Sequence, residues 1–367
     1  MNRLSDTLSR GNNNFDLIRL VAALAVMLGH SYGIQAARTE PMFWFSHLES
    51  FGSLAVYAFF MISGMLVSAS FANQSSTLRF IGLRALRIWP GAIVCAAFIA
   101  LVVGPMFSGL PLAAYFTDAR TFHWLFHNAT LFGRVGGPLP GVFEENHLKA
   151  LVNATVWTLP VELKCYVIVL VAGLLGAIRS RRVMVIVVAL VGVVFAIFAN
   201  HPPKYLPLGD FFLLPLLYSF YPVPFFLLGM LLYVFRDHVF LDWRPVVVLL
   251  AIYLVSRNSW PNPIFFYLTF IYGLLWFGSA NGLRKMTPKH DYSYGIYLYG
   301  FVVQQVVSSI HPSMNSYLSL MISVPITVAL AALSWHTVER PCLASFRRRT
   351  PAPAADIRSV VINEPGS

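Results

Sequence analysis

An arginine and a histidine, Arg19 and His30, interrupt an apolar run near the start of the chain. In an α-helix, a step of eleven residues leaves two side chains about 20° apart around the axis and roughly 16 Å apart along it. Asp16 lies three residues before Arg19, where it can pair with the guanidinium. Because charged groups in an apolar helix are costly, Arg19 and His30 are candidate catalytic residues. Alternatively, Arg19 extends to the headgroups and His30 is an interfacial histidine.

A carboxylate, Glu162, lies five residues after Trp157 at the start of another apolar run. If this helix enters the membrane from outside, Glu162 lies ~8 Å below Trp157, at a depth similar to that of His30. A carboxylate beside a histidine fixes its tautomer and raises its basicity, as a general base requires. We therefore predict that Glu162 contacts His30. The alternative is a structural partner for Lys164 or Tyr166.

Arginines and small residues complete the candidate set. Arg84 and Arg87 stand at a helix entrance, where guanidinium groups are suited to binding phosphate. A positive-inside signal explains the neighbouring Arg79 equally well. The small pair Ser63 and Gly64 permits close helix contact and, secondarily, lines a substrate path.

The composition indicates what kind of protein positions these groups. Of the 367 residues, 57% are hydrophobic and only 11% are charged, whereas a soluble domain has roughly 25% charged residues. The sequence therefore predicts an all-α, polytopic membrane protein embedded in the lipid bilayer. The net charge of +11 does not indicate nucleic-acid binding, because the basic residues lie between apolar runs. The three cysteines predict neither a disulfide framework nor a metal site.

About ten apolar runs approach the length of a membrane-spanning helix. They are 15–34, 51–71, 88–107, 157–178, 183–199, 217–235, 245–257, 263–280, 293–311 and 318–338. Pro222 and Pro224 break the sixth run and the seventh is short, so the region 200–260 decides the count.

The basic residues predict the orientation of these spans. With the N-terminus in the cytoplasm, 18 of the 26 lysines and arginines fall in cytoplasmic segments and 6 in outer segments. Both termini are then cytoplasmic. The predicted organisation is a segment 1–14, a transmembrane domain 15–341 and a tail 342–367 that is expected to be disordered. The long outer loop 108–156 is expected to be a solvated or lumen-lining segment.

Several short motifs follow one another along the chain. They are Arg19 with His30, Phe59-Phe60 with Ser63-Gly64, Arg84 with Arg87-Ile88-Trp89-Pro90, Trp157-Thr158-Leu159-Pro160-Val161-Glu162, Asp291-Tyr292-Ser293-Tyr294-Gly295-Ile296-Tyr297-Leu298 and Ser334-Trp335-His336-Thr337-Val338-Glu339-Arg340-Pro341. In these motifs the chain resembles the acyltransferase-3 family of bacterial membrane acyltransferases, which acylate lipopolysaccharide, exopolysaccharide, Nod factors and related glycans. It departs from many members at Gly300, where they carry a histidine.

The resemblance implies a protein of the bacterial inner membrane with a cytoplasmic acyl-CoA donor, no permanently bound cofactor, and a hydroxyl of an extracytoplasmic or lipid-linked glycan as acceptor. Arg84 and Arg87 would hold the CoA phosphates, and Arg19 would neutralise the donor or position its thioester. His30, oriented by Glu162, would deprotonate the acceptor hydroxyl or carry the acyl group covalently. The residues expected to line the substrate site are Trp157, Ser63, Tyr166 and Tyr297.

Two other functions remain open on the sequence. A transporter or exporter of an anionic or glycan-linked substrate would also place charges along one helix face. A non-catalytic component of a polysaccharide assembly machine is the third hypothesis. Acetyl is the default acyl group because it is the commonest in the resembling family. The sequence does not identify the sugar, the choice between direct and covalent transfer, or the oligomeric state.

Overall fold

Helices form most of the protein in the computed structural model, which describes residues 2–9, 11–37, 39–74, 76–200, 222–257 and 259–349. The helices are α1 (Leu4–Thr7), α2 (Phe15–Ile34), α3 (Pro41–Ser46), α4 (Phe51–Ala72), α5 (Thr77–Phe107), α6 (Leu112–Thr117), α7 (Ala119–Thr130), α8 (Thr158–Leu174), α9 (Arg181–Asn200), α10 (Pro222–Val234), α11 (Trp243–Val255), α12 (Asn262–Ser279), α13 (Ser293–Ile310) and α14 (Ser316–Arg349). A 3₁₀ turn (Asn281–Met286) precedes α13, and the short strands β1 (Asn2–Arg3) and β2 (Phe240–Leu241) pair antiparallel.

Four helices in the described ranges are long and apolar enough to cross a membrane, namely α2, α4, α5 and α14. The helices α10 and α11 are apolar but shorter. Each of the ten predicted intervals contains a helix, although 217–221 lies outside the described residues. The mostly helical, membrane-type fold is therefore confirmed. The count of ten crossings and the cytoplasmic location of both termini stay predictions.

The helix α2 packs against α4, α13 and α14, and glycines allow its closest approach. A Cβ on Gly29 would lie 2.9 Å from the backbone nitrogen of Gly52 at the start of α4. Because α2 is continuous over 20 residues, it carries Arg19 and His30 at fixed heights. The predicted helix over residues 15–34 is confirmed.

The segment predicted as a long outer loop, 108–156, is partly helical and packs on α5. The Tyr115 hydroxyl of α6 donates to the Ala100 carbonyl of α5 at 2.8 Å, and Trp124 of α7 is buried. On its other side, α7 exposes Phe122 and Phe126. The expectation of a solvated or lumen-lining segment stays a prediction, to which the structure adds that part of the segment is helical and packs on α5.

Both ends of the described chain are held by the bundle. The Asn14 side chain donates to the carbonyls of Phe277 and Ala280, which fixes the start of α2 against the end of α12. At the other end, α14 continues to Arg349. The tail predicted to be disordered from Cys342 onward therefore begins as a helix, and 350–367 lies outside the described residues.

Candidate functional site

A cavity of about 840 Å³ lies between α2, α4, α5, α8, α13 and α14. Six basic and three acidic side chains line it, so it carries an excess of positive charge. The basic residues are Arg19, Arg79, Arg84, Arg87, Lys289 and Arg347, and the acidic ones are Asp16, Glu162 and Asp291. The size and the charge of this cavity suit an anionic ligand such as a phosphate ester.

Asp291 holds two of the arginines together. Its Oδ2 accepts a hydrogen bond from Arg87 at 2.5 Å and lies 3.4 Å from Nη1 of Arg19. Arg19 also pairs with Asp16, as their spacing predicts. Asp291 lies just before α13, and although burial would raise its pKa, the two guanidinium charges and hydrogen bonds from Ser293 hold that pKa well below the usual range. The carboxylate is therefore charged at neutral pH and links α2, α5 and the start of α13.

Glu162 forms a second polar cluster at the cavity wall. Its Oε1 accepts hydrogen bonds from the hydroxyls of Ser63 at 3.2 Å and Tyr166 at 2.5 Å. The guanidinium carbon of Arg84 lies 5.9 Å from the centre of the Tyr166 ring. The structure thus brings Ser63, Tyr166 and Arg84 to the cavity together with Glu162.

His30 lies apart from this cluster, and the predicted contact with Glu162 is absent. The His30 ring packs edge-on against Phe301 of α13, with 5.1 Å between the ring centroids. No hydrogen bond or ion pair joins the imidazole to any residue in the described part of the chain. Equal depth on two helices does not imply contact: Glu162 turns toward α4, whereas His30 faces α13.

An apolar layer lies along α2 between the heights of Arg19 and His30. It consists of Ala22, Val26, Ala55 and Tyr297, with Ala25 and Phe59 packed against them. Phe59 and Tyr297 also line the cavity, and their rings meet edge to face at 5.7 Å. The Tyr297 hydroxyl donates to the Thr155 carbonyl at 3.0 Å and lies 2.7 Å from Thr158 Oγ1. Tyr297, one of the predicted substrate residues, is therefore a fixed part of the cavity end.

Trp157 does not line the cavity. It immediately precedes α8 and packs against the main apolar core, whereas the next residue, Thr158, faces the cavity. The predicted role of Trp157 in binding the substrate stays a prediction.

Three charged residues of the cavity, Asp291, Lys289 and Arg347, were given no site role from the sequence. Asp291 belongs to a recognised motif, but only the fold places it between Arg19 and Arg87. Lys289 and Arg347 count among the basic residues that indicate orientation, and the fold brings both to the cavity wall. Both residues lie at the cytoplasmic ends of predicted spans. That position was the signal in the sequence that could have assigned them to the site, because chain segments at the same membrane surface can lie close together.

Comparison with known proteins identifies the family. The model of the acyltransferase domain of the acyltransferase-3 family matches residues 12–336. The chain belongs to this family. It is 31% identical over 341 residues to an O-acetyl transferase of Shigella phage Sf6, covering 90% of this chain and 95% of that protein. It is 30% identical over 362 residues to nodulation protein 10 of Rhizobium leguminosarum bv. viciae, covering 90% and 93% of the two chains. No solved structure matches it significantly.

In this acyltransferase, Arg84 is well placed to attract an anion. Among the residues that the structure describes, no carboxylate lies within 4 Å of its guanidinium, and its Nε is buried without a hydrogen-bond partner. The charge of Arg87, by contrast, is already compensated by Asp291. The predicted pair of phosphate-binding arginines therefore divides into one arginine whose Nε has no hydrogen-bond partner among the described residues and one that organises the site.

Proposed function

We propose that this acyltransferase moves an acyl group, most simply acetyl, from acyl-CoA to a hydroxyl of a glycan at the outer side of the bacterial inner membrane. The observation that carries the proposal is the positively charged cavity, which ends at the apolar layer between the heights of Arg19 and His30. The relative from Shigella phage Sf6 is named an O-acetyl transferase, which favours an acetyl donor and an oxygen acceptor.

The cavity would be the donor site. CoA carries several phosphate groups, and Arg84, Arg79, Lys289 and Arg347 offer cationic partners for them at the cavity wall. The pantetheine arm is long and uncharged, so it suits the part of the cavity that leads to Tyr297. The acyl group would then lie at the apolar layer, away from the phosphates.

Acyl transfer forms a bond between the acceptor oxygen and the acyl carbon and breaks the carbon–sulfur bond of the thioester. His30, whose ring nitrogens bond to no described group, would remove the proton of the acceptor hydroxyl and return it to the departing CoA thiolate. Arg19, held by Asp16 and Asp291, lies about 16 Å from His30 along α2 and would neutralise the charged part of the donor. A covalent route would use a nitrogen of the same imidazole to carry the acyl group.

The apolar layer sets a condition for this reaction. Because this layer lies between the heights of Arg19 and His30, the acyl end of the donor must pass Phe59 and Tyr297 before the imidazole can act. Glu162 would support this wall through Ser63 and Tyr166, a positioning role in place of the predicted contact with His30.

The test combines a donor assay with analysis of the product. Release of CoA thiol from acetyl-CoA is measured with purified full-length protein, and acyl groups on surface glycans are measured by mass spectrometry in strains that carry each variant. We expect His30→Ala to lower transfer by roughly 10²- to 10⁴-fold, the usual contribution of a general base. Arg84→Gln should mainly raise the KM for acetyl-CoA.

The matched control is His123→Ala, since His123 is exposed on α7 and should leave both readouts unchanged. Full glycan acylation in the His30→Ala strain would refute the proposed mechanism. Acylation that is lost on deletion of the protein but unaffected by His30→Ala, Arg19→Ala and Arg84→Gln would instead indicate a non-catalytic component.

A further inference from the structure

A second cavity, of about 380 Å³, lies beside the first and shares Arg84 and Tyr166 with it. We call it the side groove; it is lined by the beginning of α5, the turn after α7 and the first half of α8. Its rim includes Ile81, Phe132 and Val167, which are 43%, 52% and 44% exposed. Apolar side chains exposed on a membrane protein contact hydrocarbon chains at no cost, so these three residues mark a lipid-facing opening.

Two cationic side chains, Lys164 and Arg84, stand in this apolar setting with no described carboxylate oxygen within 4 Å of their nitrogens. The Lys164 Nζ is buried and bonds to no residue in the described part of the chain, and the same holds for Nε of Arg84. The nearby carboxylate of Glu162 is directed to the first cavity, where Ser63 and Tyr166 hold it. A buried ammonium group in a membrane helix is costly unless an anion accompanies it.

We propose that the side groove binds an anionic phospholipid of the surrounding bilayer, with one acyl chain between α5 and α8 and the headgroup phosphate on Lys164 and Arg84. Charge complementarity identifies this occupant: the groove is open to the bilayer, it offers two cations with no described carboxylate oxygen within 4 Å, and anionic headgroups are the anions that a membrane supplies. The inference rests on the membrane embedding of the chain and holds whichever acyl group or acceptor the enzyme uses.

The lipid site adjoins the proposed donor site. Arg84 and Tyr166 line both the side groove and the first cavity, so they form the wall between the two. Tyr166 in turn holds Glu162, and its ring lies against the Arg84 guanidinium. A phosphate bound from the membrane side would fix this wall, and it would leave the opposite side of Arg84 to the donor.

The experiment measures lipid binding directly. Full-length protein is stripped of lipid in detergent and titrated with phosphatidylglycerol or phosphatidylcholine, and bound lipid is counted by native mass spectrometry. The wild type should bind one phosphatidylglycerol in preference to phosphatidylcholine. Lys164→Met keeps an unbranched side chain one atom shorter but removes the charge, and it should weaken phosphatidylglycerol binding about fivefold, as expected for one basic residue near lipid headgroups.

Three further variants make the result specific. Lys164→Arg should retain the preference because it keeps the charge, and Lys149→Met, on an exposed loop, should bind like the wild type. Ala85→Phe fills the groove wall and should weaken the binding of both lipids. Wild-type affinity and preference in Lys164→Met would overturn the proposal, as would unchanged binding in Ala85→Phe. Because no acyl transfer is measured, these outcomes are independent of the test of His30.

Discussion

Asp291 controls the geometry of the cavity at the scale of single residues. One carboxylate oxygen serves Arg19 and Arg87, and its second oxygen accepts from Ser293. Its side chain is 13% exposed, so the pairs are shielded from water on most sides. Buried ion pairs contribute little net stability, but the removal of one partner leaves the others uncompensated.

We therefore expect Asp291→Asn to destabilise the protein, by about 3 kcal/mol, the low end of the cost of breaking a buried pair. The two arginines would repel each other and lose their fixed positions, so the KM for acyl-CoA should rise as well. The measurement is thermal unfolding in detergent together with the donor assay. Asp118→Asn is the matched control: Asp118 pairs with the exposed Arg120 on α7, and such surface pairs add little. Equal unfolding temperatures for Asp291→Asn and the wild type would contradict this role.

The same carboxylate predicts a dependence of stability on pH. The pKa of Asp291 is depressed in the folded protein, so its stabilising contribution is complete above the pKa of an unfolded aspartate, about 3.9. As the pH falls below that value toward the native pKa, the contribution is lost. The unfolding temperature of the wild type should therefore converge on that of Asp291→Asn in acid, and parallel curves at all pH values would exclude the linkage.

Local spacing predicted some contacts of the site and not others. Asp16 and Arg19 are three residues apart on one helix, so helix geometry alone predicts their ion pair. Glu162 and His30 lie on different helices, and the sequence indicates only that their depths are similar. Which helix each side chain faces depends on lateral packing, which sequence spacing does not encode.

At the scale of helices, small residues set the distance between α4 and α10. A Cβ on Gly64 would lie 2.1 Å from the carbonyl oxygen of Phe226, and one on Gly229 would lie 2.2 Å from that of Met61. Both obstructing atoms are backbone, so the neighbouring helix must shift if either glycine is replaced. Since Gly64 follows Ser63, a shift of α4 would also move the hydroxyl that holds Glu162.

We expect Gly64→Ala to destabilise the bundle by about 1–3 kcal/mol, the usual cost of overpacking, and to reduce acyl transfer. Gly192→Ala is a suitable control because Gly192 lies within α9 and a Cβ there would meet nothing within 4 Å. Alanine is the better helix former by roughly 1 kcal/mol, so the control should be neutral or slightly stabilising. Purified yield, unfolding temperature and donor turnover distinguish the two. A Gly64→Ala protein indistinguishable from the Gly192→Ala control would mean that the helices separate without cost.

The helices themselves were largely predictable, but some boundaries were not. Apolar length placed α2 correctly from residue 15 to residue 34. For α5 it gave a start at residue 88, whereas the helix begins at Thr77. The arginines in this first part lower its hydropathy, yet they do not interrupt its backbone hydrogen bonds, because their side chains extend into the cavity. Hydropathy indicates which part of a helix contacts lipid. A helix that also lines a polar cavity can therefore extend beyond its apolar part.

The cavity is a property of the whole molecule. Its wall takes residues from α2 near the N-terminus to Arg347 of α14, with further side chains from α4, α5, α8 and α13. No local pattern predicts such a convergence, although family motifs spread over the whole chain are consistent with it. A site of this kind works only if Lys289, Arg347 and the arginines of α5 lie at the same membrane surface.

That condition leads to a prediction about orientation. The distribution of basic residues predicts that the start of α5, the segment around Lys289 and the end of α14 lie on the cytoplasmic side. It predicts that the segment before α8 lies on the outer side. Chemical labelling of single introduced cysteines reports this orientation directly. Cys95 and Cys165 are buried, so a Cys342→Ser background leaves little competing reactivity. Lys149→Cys and Arg182→Cys then introduce thiols at exposed positions on opposite predicted sides.

In intact spheroplasts, a membrane-impermeant maleimide should label Lys149→Cys and spare Arg182→Cys until the membrane is permeabilised. The reverse pattern would place the basic cavity on the outer side, where no acyl-CoA is available, and would contradict the proposed donor site. Labelling of both positions in intact spheroplasts would show that an even number of crossings separates them, and the ten-helix topology would then be wrong between residues 149 and 182. The predicted pattern requires that α8 cross the membrane, which its 17 residues permit, since spanning helices range from about 17 to 25 residues.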